Sequence, residues 1–231
     1  MRTGASAPGD AKGDNMNSLA DMFGKFGKIS LVTWIAVGAL IALAVILLIV
    51  SRGKGKWTTR LLAEGALTAA LSFLLSYIKV FSMPLGGSVT LCSMLPVLLF
   101  AYAHGLPRGM LVGLGYGLLQ LLQTQPKASE IFGTLLDYPI AFSLLALSAA
   151  ARKLPRKYGV YVGILVGGLG RFAASYLSGV VFYGIWAPYN PLLYSFVYNI
   201  SYIGPEIVFC AAVMLIPSVR RATERVYAVR A

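Results

Sequence analysis

The chain has 231 residues, a mean hydropathy of +0.74, 12% charged residues and a formal net charge of +12. Such apolarity excludes an ordinary soluble domain and indicates an integral membrane protein. The basic residues lie in short clusters between apolar runs, which is typical of membrane loops and argues against a nucleic-acid partner. Two cysteines and one histidine are too few for a disulfide framework or a thiolate or histidine metal site, so we expect no metal.

In chain order, the pattern predicts a tail, an anchor helix, a membrane domain and a second tail. Residues 1–28 are small, polar and mixed in charge, which predicts disorder. Residues 29–51 contain an apolar run long enough for an additional transmembrane anchor helix. Six spans are predicted within residues 57–218, at about 60–80, 89–104, 108–124, 131–151, 158–183 and 192–218. Residues 219–231 form a basic cytoplasmic tail.

The distribution of lysine and arginine predicts the orientation in the cell membrane. If the linker at 51–60 is cytoplasmic, the outer loops after the first span hold only Lys79 and Lys127. The cytoplasmic segments then carry nearly all the remaining basic residues of the membrane domain. The positive-inside rule therefore predicts a multi-pass protein with its N-terminus outside and its C-terminus in the cytoplasm.

Small residues recur at four-residue spacing on several predicted helices. The glycines concerned are Gly109, Gly113 and Gly117 on one helix and Gly163 and Gly167 on another. Because no predicted strand precedes them, close helix packing in lipid explains them better than a dinucleotide fingerprint does. Ala66 and Ala70 have the same spacing on the first span of the membrane domain. This pair fits either intramolecular packing or a smooth face for docking another membrane protein.

Four ionisable residues lie inside predicted spans, namely Glu64, Asp137, Arg171 and Glu206. A lone charge at mid-bilayer costs at least about 2.5–3.5 kcal/mol, so the deeper ones predict partners or a function. At ~1.5 Å per residue, Asp137 and Asn199 lie about 9–10 Å below the outer helix ends, and Arg171 and Glu206 about 18–21 Å. Arg171 can therefore pair with Glu206, with Asp137 or with both, in a site or simply to lock helices together.

The segment NPLLYSFVYNISYIGPE gives the last span a polar, aromatic face. Its side chains at helical spacing are Tyr194, Tyr198, Tyr202 and Glu206, with Asn199 in the same arc. Ser175, Tyr183 and Trp186 join them from the preceding span and its outer loop. A carboxylate at Asp137 among aromatic rings suits an organic cation or a flat heteroaromatic amine. The alternative is a helix interface whose tyrosines are hydrogen-bonded internally.

The sequence holds no nucleophile–base pair, HExxH motif or P-loop, so any ATP hydrolysis is expected in a separate protein. The segments WTTRLLAEGALTAALSFLLSYIKVFSMPLGGSVTLCSMLPVLLFAYAHGLPRGMLVGLGYGLLQ, LLDYPIAF, GRFAASYLSGVVFYG and APYNPLLYSFVYNISYIGPE resemble one known family. They are similar to the thiamine-specific substrate-binding subunits, or S components, of energy-coupling factor (ECF) transporters. The resemblance covers about residues 57–217.

The resemblance implies an all-α integral membrane protein with a six-helix S-component core, here preceded by one extra N-terminal transmembrane helix. It implies high-affinity binding of thiamine from outside and delivery inward after docking on a coupling module. The expected partners are thiamine, a transmembrane coupling subunit with two ATPase subunits, and membrane lipid, but no nucleic acid. We expect neither enzymatic activity nor a cofactor besides the ligand thiamine. Ala66 and Ala70 then belong to the docking surface.

The resemblance also implies roles for single residues. Asp137 takes the acidic position that contacts the ligand, Tyr138 follows it, and Arg171 takes the basic position that supports the carboxylate. The predicted substrate-binding set is completed by Ser175, Gly179, Tyr183, Tyr194 and Asn199, with Trp186 as a lid at the mouth. Ser175 stands where some members carry histidine, Tyr183 where some carry tryptophan, and Asp137 where some carry glutamate.

Three other functions stay open at this point. The chain fits an S component for a pyrimidine or thiazole precursor of thiamine. It also fits a membrane-embedded enzyme that uses Asp137 or Glu206 as a general acid or base, although no partner nucleophile is apparent. A structural assembly subunit, whose polar face serves helix packing, is the third.

Overall fold

The computed structural model describes residues 57–83, 87–124, 131–184 and 187–228, so the predicted tail over 1–28 and anchor helix over 29–51 lie outside it. The described chain folds into helices joined by one small hairpin. Its elements are α1 (Thr59–Ser76), β1 (Lys79–Ser82), β2 (Ser88–Thr90), α2 (Leu95–His104), α3 (Leu106–Thr124), α4 (131–153), α5 (Arg156–Phe182), α6 (Pro191–Val213) and α7 (Pro217–Ala228).

Several of the described helices have the length and surface that a bilayer requires. Three of them are long and apolar enough to cross a membrane, over Gly133–Lys153, Tyr158–Phe182 and Pro191–Val213. Large apolar side chains such as Leu67, Leu122 and Val208 are well exposed, which suits contact with lipid. A mainly helical, membrane-spanning architecture is therefore confirmed.

Helix α4 changes its hydrogen-bonding pattern along its length. It consists of an α-helical turn (Ile131–Leu135), a π-helical turn (Leu136–Ile140), a short α segment (Ala141–Ser143) and a 3₁₀ segment (Leu144–Lys153). Pro139 has no N–H to donate, and the amide of Ala141 instead bonds the Leu136 carbonyl five residues back. The Ser143 hydroxyl donates to the Pro139 carbonyl at 2.6 Å. The widened turn is the one that carries Asp137.

Glycines bring the main chains of α3, α4 and α5 together. A Cβ at Gly117 would lie 2.7 Å from the Tyr138 carbonyl oxygen, and one at Gly113 would collide with that of Phe142. On α5, a Cβ at Gly167 would lie 2.7 Å from the Leu145 carbonyl oxygen. Only a residue without a side chain fits at these distances, so the packing role predicted for these glycines is confirmed.

The segment between the first two predicted spans departs from the expectation. Helix α1 ends at Ser76, and the chain then forms an antiparallel hairpin with Phe81 paired to Val89. A turn with a positive φ of 58° at Cys92 follows, and α2 begins only at Leu95. Ten residues at ~1.5 Å each cover about 15 Å, half of the ~30 Å hydrocarbon core, so a helical span over 89–104 is wrong.

The end of the domain also differs from the prediction. The last predicted span, 192–218, ends as a helix at Val213, and a separate helix α7 occupies Pro217–Ala228. Pro217 lacks the N–H that would continue α6, but its fixed φ suits the first residue of a new helix. Part of the predicted basic tail is therefore helical.

Candidate ligand-binding site

A cavity of about 440 Å³ lies between the hairpin and helices α3, α4, α5 and α6. This volume is within the ~300–1,000 Å³ typical of small-molecule sites. All eight residues predicted to bind substrate line it, namely Asp137, Tyr138, Arg171, Ser175, Gly179, Tyr183, Tyr194 and Asn199. The predicted lid residue Trp186 lies outside the described residues.

Asp137 presents its carboxylate to the cavity from the π-helical turn of α4. The Ser178 hydroxyl donates to Asp137 Oδ2 at 2.9 Å and also lies 3.1 Å from the Gly133 carbonyl. No cation of the described chain lies within ion-pair distance of Asp137. Sequence reasoning missed Ser178, although its spacing of three from Ser175 and seven from Arg171 puts it on the same face of α5.

Arg171 pairs with Glu206 rather than with Asp137. Its Nη1 lies 3.0 Å from Glu206 Oε2, and Glu206 is fully buried. The guanidinium carbon also lies 4.5 Å from the centre of the Phe142 ring, in cation–π geometry. Of the pairings that helix depth left open, the structure therefore contains the one with Glu206. The support for Asp137 that the resemblance assigned to Arg171 is not a direct ion pair.

The second oxygen of Glu206 is held by two hydroxyls. Oε1 accepts hydrogen bonds from Thr90, which ends β2, and from Ser93 at 2.8 Å, in the turn before α2. These two residues line the cavity, as Arg171 does. Sequence reasoning did not single them out, because nothing local links them to a carboxylate more than 110 residues away.

The tyrosines of α6 form the predicted row along the cavity. The ring centres of Tyr194 and Tyr198 lie 6.1 Å apart, and those of Tyr198 and Tyr202 lie 5.7 Å apart. The Tyr198 hydroxyl accepts the amide proton of Gly87 at 3.0 Å, so the row also holds the start of β2. The rings of the row therefore border the cavity, and Tyr198 and Tyr202 are also hydrogen-bonded within the protein.

Asn199 joins α5 and α6 beneath this row. Its Nδ2 donates to the Ser195 carbonyl at 2.9 Å and to the Ser175 carbonyl at 3.3 Å. Its Oδ1 accepts from the Tyr202 hydroxyl at 2.7 Å. Gly179 lies opposite, and a Cβ there would collide with Ser195 Oγ. The site is therefore built on a close contact between two helices.

Ala66 and Ala70 lie away from the cavity, on the outer face of α1. Both are exposed, whereas the buried face of α1 consists of Leu61, Gly65, Ala69, Ser72 and Ser76. Packing within the described chain therefore does not account for the pair.

The chemistry of the site suits binding rather than metal capture. Among the described residues, no three His, Cys, Asp or Glu side chains come together as metal ligands would. One carboxylate, several hydroxyls and aromatic rings instead surround the cavity. Such a set recognises an organic molecule through charge, hydrogen bonds and ring contacts.

Comparison with known proteins identifies the family. The family described as thiamine transporter protein matches residues 62–225. The chain belongs to this family. Thiamine transporter ThiT of Bacillus subtilis (strain 168) is 35% identical over 175 residues, which are 70% of this chain and 91% of that protein. ThiT of Lacticaseibacillus paracasei is 26% identical over 152 residues, 59% of this chain and 75% of that protein.

A solved structure supports the fold of the thiamine transporter family. The structure of ThiT from Listeria monocytogenes aligns with a TM-score of 0.63 at 23% identity, and covers 72% of this chain and 96% of that one. Membership of a transporter family confirms the expectation of a multi-pass membrane protein that is not an enzyme. The alternative of a membrane-embedded enzyme, with Asp137 or Glu206 as acid or base, is therefore wrong.

Proposed function

We propose that this thiamine transporter family member is the high-affinity thiamine-binding S component of an ATP-driven ECF transporter. It captures thiamine from outside and delivers it inward after docking on a coupling module. The observation that carries the proposal is Asp137, a carboxylate that faces a cavity of about 440 Å³ without an ion pair in the described chain. Thiamine offers a cationic thiazolium ring and an aminopyrimidine, both of which a carboxylate attracts.

Each predicted residue has a place in this proposal. Asp137 supplies the negative charge, and Tyr138, Tyr183 and Tyr194 offer ring faces to the flat heterocycles. Ser175 offers a hydroxyl from α5, and Asn199 offers the second lone pair of its Oδ1 from α6. The other predicted cavity residues are Gly179, which leaves space, and Arg171, which is neutralised by Glu206. Trp186, beyond the described residues, remains our proposed lid.

Calorimetric titration of the detergent-purified chain with thiamine tests the binding function. We expect saturable binding that Asp137→Asn weakens by roughly tenfold to a hundredfold, since a charge-assisted contact is worth about 1.5–3 kcal/mol. Ser201→Ala is the matched control, because the Ser201 hydroxyl is exposed and bonds only carbonyls of its own helix. The separate pyrimidine and thiazole halves are titrated beside thiamine. Folded protein that ignores thiamine and binds one half tightly would replace the proposal with a precursor transporter.

We further propose that Ala66 and Ala70 form the docking surface for the transmembrane coupling subunit, which works with two ATPase subunits. The exposed small side chains of α1 leave a smooth strip between Leu62, Leu67 and Leu74, where another helix can approach closely. Ala66→Trp with Ala70→Trp should abolish co-purification with the coupling module and leave thiamine binding intact. Ala212→Trp, on the exposed side of α6, is the control. Normal assembly of the double variant would place the docking surface elsewhere.

The orientation in the cell membrane belongs to the same proposal, with the N-terminus outside and the C-terminus in the cytoplasm. Contacts between the start of α1 and the ends of α2 and α4 support it, because Glu64 lies 3.6 Å from His104 and Arg152 lies beside Gly105. Lys79 instead borders the cavity. A cysteine at Lys79 should react with an impermeant maleimide in intact cells, and one at Arg152 only after permeabilisation. The reverse result would invert the topology.

A further inference from the structure

Two opposite charges of the chain face the interior of the cavity, and they do not pair with each other. Among its described lining residues the ionisable acids and bases are Lys79, Asp137 and Arg171, with Lys79 on the exposed strand β1. A free Arg171 in this space would attract Asp137 and offset its charge. The structure instead holds Arg171 on Glu206, with Nη1 3.0 Å from Oε2.

Glu206 is fixed in the orientation that this pairing requires. Its side chain is fully buried, one oxygen accepts from Arg171, and the other accepts from the hydroxyls of Thr90 and Ser93. Three donors, two from residues 90–93 and one from α5, leave the carboxylate little freedom to turn. The pair is therefore close to neutral when seen from the cavity.

The consequence is that Asp137 carries the uncompensated charge in the interior of the cavity, while Lys79 borders it from the exposed strand β1. We propose that Glu206 is a specificity-determining residue, which neutralises Arg171 and so makes the cavity prefer a monocation over a neutral ligand of the same shape. Glu206 does not line the cavity itself and acts through Arg171. This inference rests on the proposed function, since it explains why a thiamine site selects the charged thiazolium.

A ratio of affinities tests the idea better than affinity alone. The probes are thiamine and its isostere in which a neutral thiophene ring replaces the thiazolium, both titrated into the full chain in detergent. In Glu206→Gln, the uncompensated Arg171 charge should weaken the binding of thiamine far more than the binding of the neutral isostere. We expect the thiamine-to-isostere affinity ratio to fall by roughly tenfold or more, since two charges several ångströms apart interact by over 1 kcal/mol at an effective dielectric near 20.

The double variant Arg171→Gln with Glu206→Gln removes both charges and completes the test. The thiamine-to-isostere affinity ratio of this variant should return to within about threefold of the wild-type ratio. This holds even if lost contacts weaken the binding of both ligands. An equal loss of affinity for both ligands in Glu206→Gln would show that the Arg171–Glu206 pair only holds helices together, and would overturn the inference.

If Glu206→Gln does not fold, the double variant decides alone. If the thiamine-to-isostere affinity ratio of the double variant rises more than about tenfold above wild type, Glu206 does not neutralise Arg171 in the wild-type protein, contrary to the inference. Wild-type protein that is folded but binds neither probe would instead refute the proposed function, so the two failures are distinct.

Discussion

Replacing Gly179 by alanine tests how closely α5 and α6 approach beside the cavity. The new Cβ would collide with Ser195 Oγ and lie 3.1 Å from Ser195 Cβ and 3.3 Å from Asn199 Nδ2. Ser195 cannot simply rotate away, because its hydroxyl donates to the Tyr176 carbonyl at 2.7 Å and accepts from Asn199 at 3.2 Å. Overpacking and one lost hydrogen bond together should lower the free energy of unfolding by about 2–4 kcal/mol.

The assay is thermal melting in detergent with and without thiamine, together with calorimetric titration. A loss of this size should lower the melting temperature by about 5–15 °C, and the displaced Asn199 should weaken thiamine binding by roughly tenfold. Gly115→Ala on α3 is the matched control, because no atom lies within 4 Å of a Cβ there. That control should be neutral or up to about 1 kcal/mol more stable. Equal melting and equal binding for the two variants would refute the described contact.

Two further substitutions probe other contacts of the site. Tyr198→Phe removes the acceptor of the Gly87 amide and should cost about 0.5–1.5 kcal/mol locally. Hydrogen exchange at Gly87 should accelerate by roughly threefold to tenfold, unlike in Tyr189→Phe, and unchanged exchange would contradict the bond. Gly113→Ala would drive a methyl group into the Phe142 carbonyl and should lower the free energy of unfolding by at least about 1–3 kcal/mol. Its melting temperature should therefore lie below that of Gly115→Ala. Similar melting of these two variants would contradict the close packing of α3 on α4.

Hydropathy and charge located most of the long helices, but they could not distinguish a strand from a helix between α1 and α2. The apolar residues Val80, Phe81 and Val89 suit either state, and the hairpin depends on pairing between segments that local patterns do not link. The π-helical turn of α4 was also beyond local rules. Pro139 signals a disturbance there, but whether the chain kinks, breaks or widens depends on the neighbouring helices.

The site was more predictable than the loops around it, because helical spacing fixes which side chains share a face. Tyr194 and Asn199 followed from one face of α6, Arg171 stood out as a charge inside a span, and Gly179 was implied by the family resemblance. The partner of Arg171 could not be predicted, since helix depth puts both carboxylates within reach. Thr90 and Ser93, which secure Glu206, come from the segment whose structure the pattern did not reveal.

The glycine contacts of α4 imply that the two sides of the cavity differ in rigidity. The main chains of α3 and α5 lie close to that of α4, at Gly113, Gly117, Gly167 and Gly170. The tyrosines of α6 instead meet the hairpin through side chains, such as Tyr202 on Gly87. Side chains can repack where main chains cannot, so Asp137 belongs to a stationary wall and the tyrosine row to an adjustable one. We therefore expect a ligand to enter and leave by movement of the hairpin and of the tyrosine side chains, past a carboxylate that keeps its position throughout.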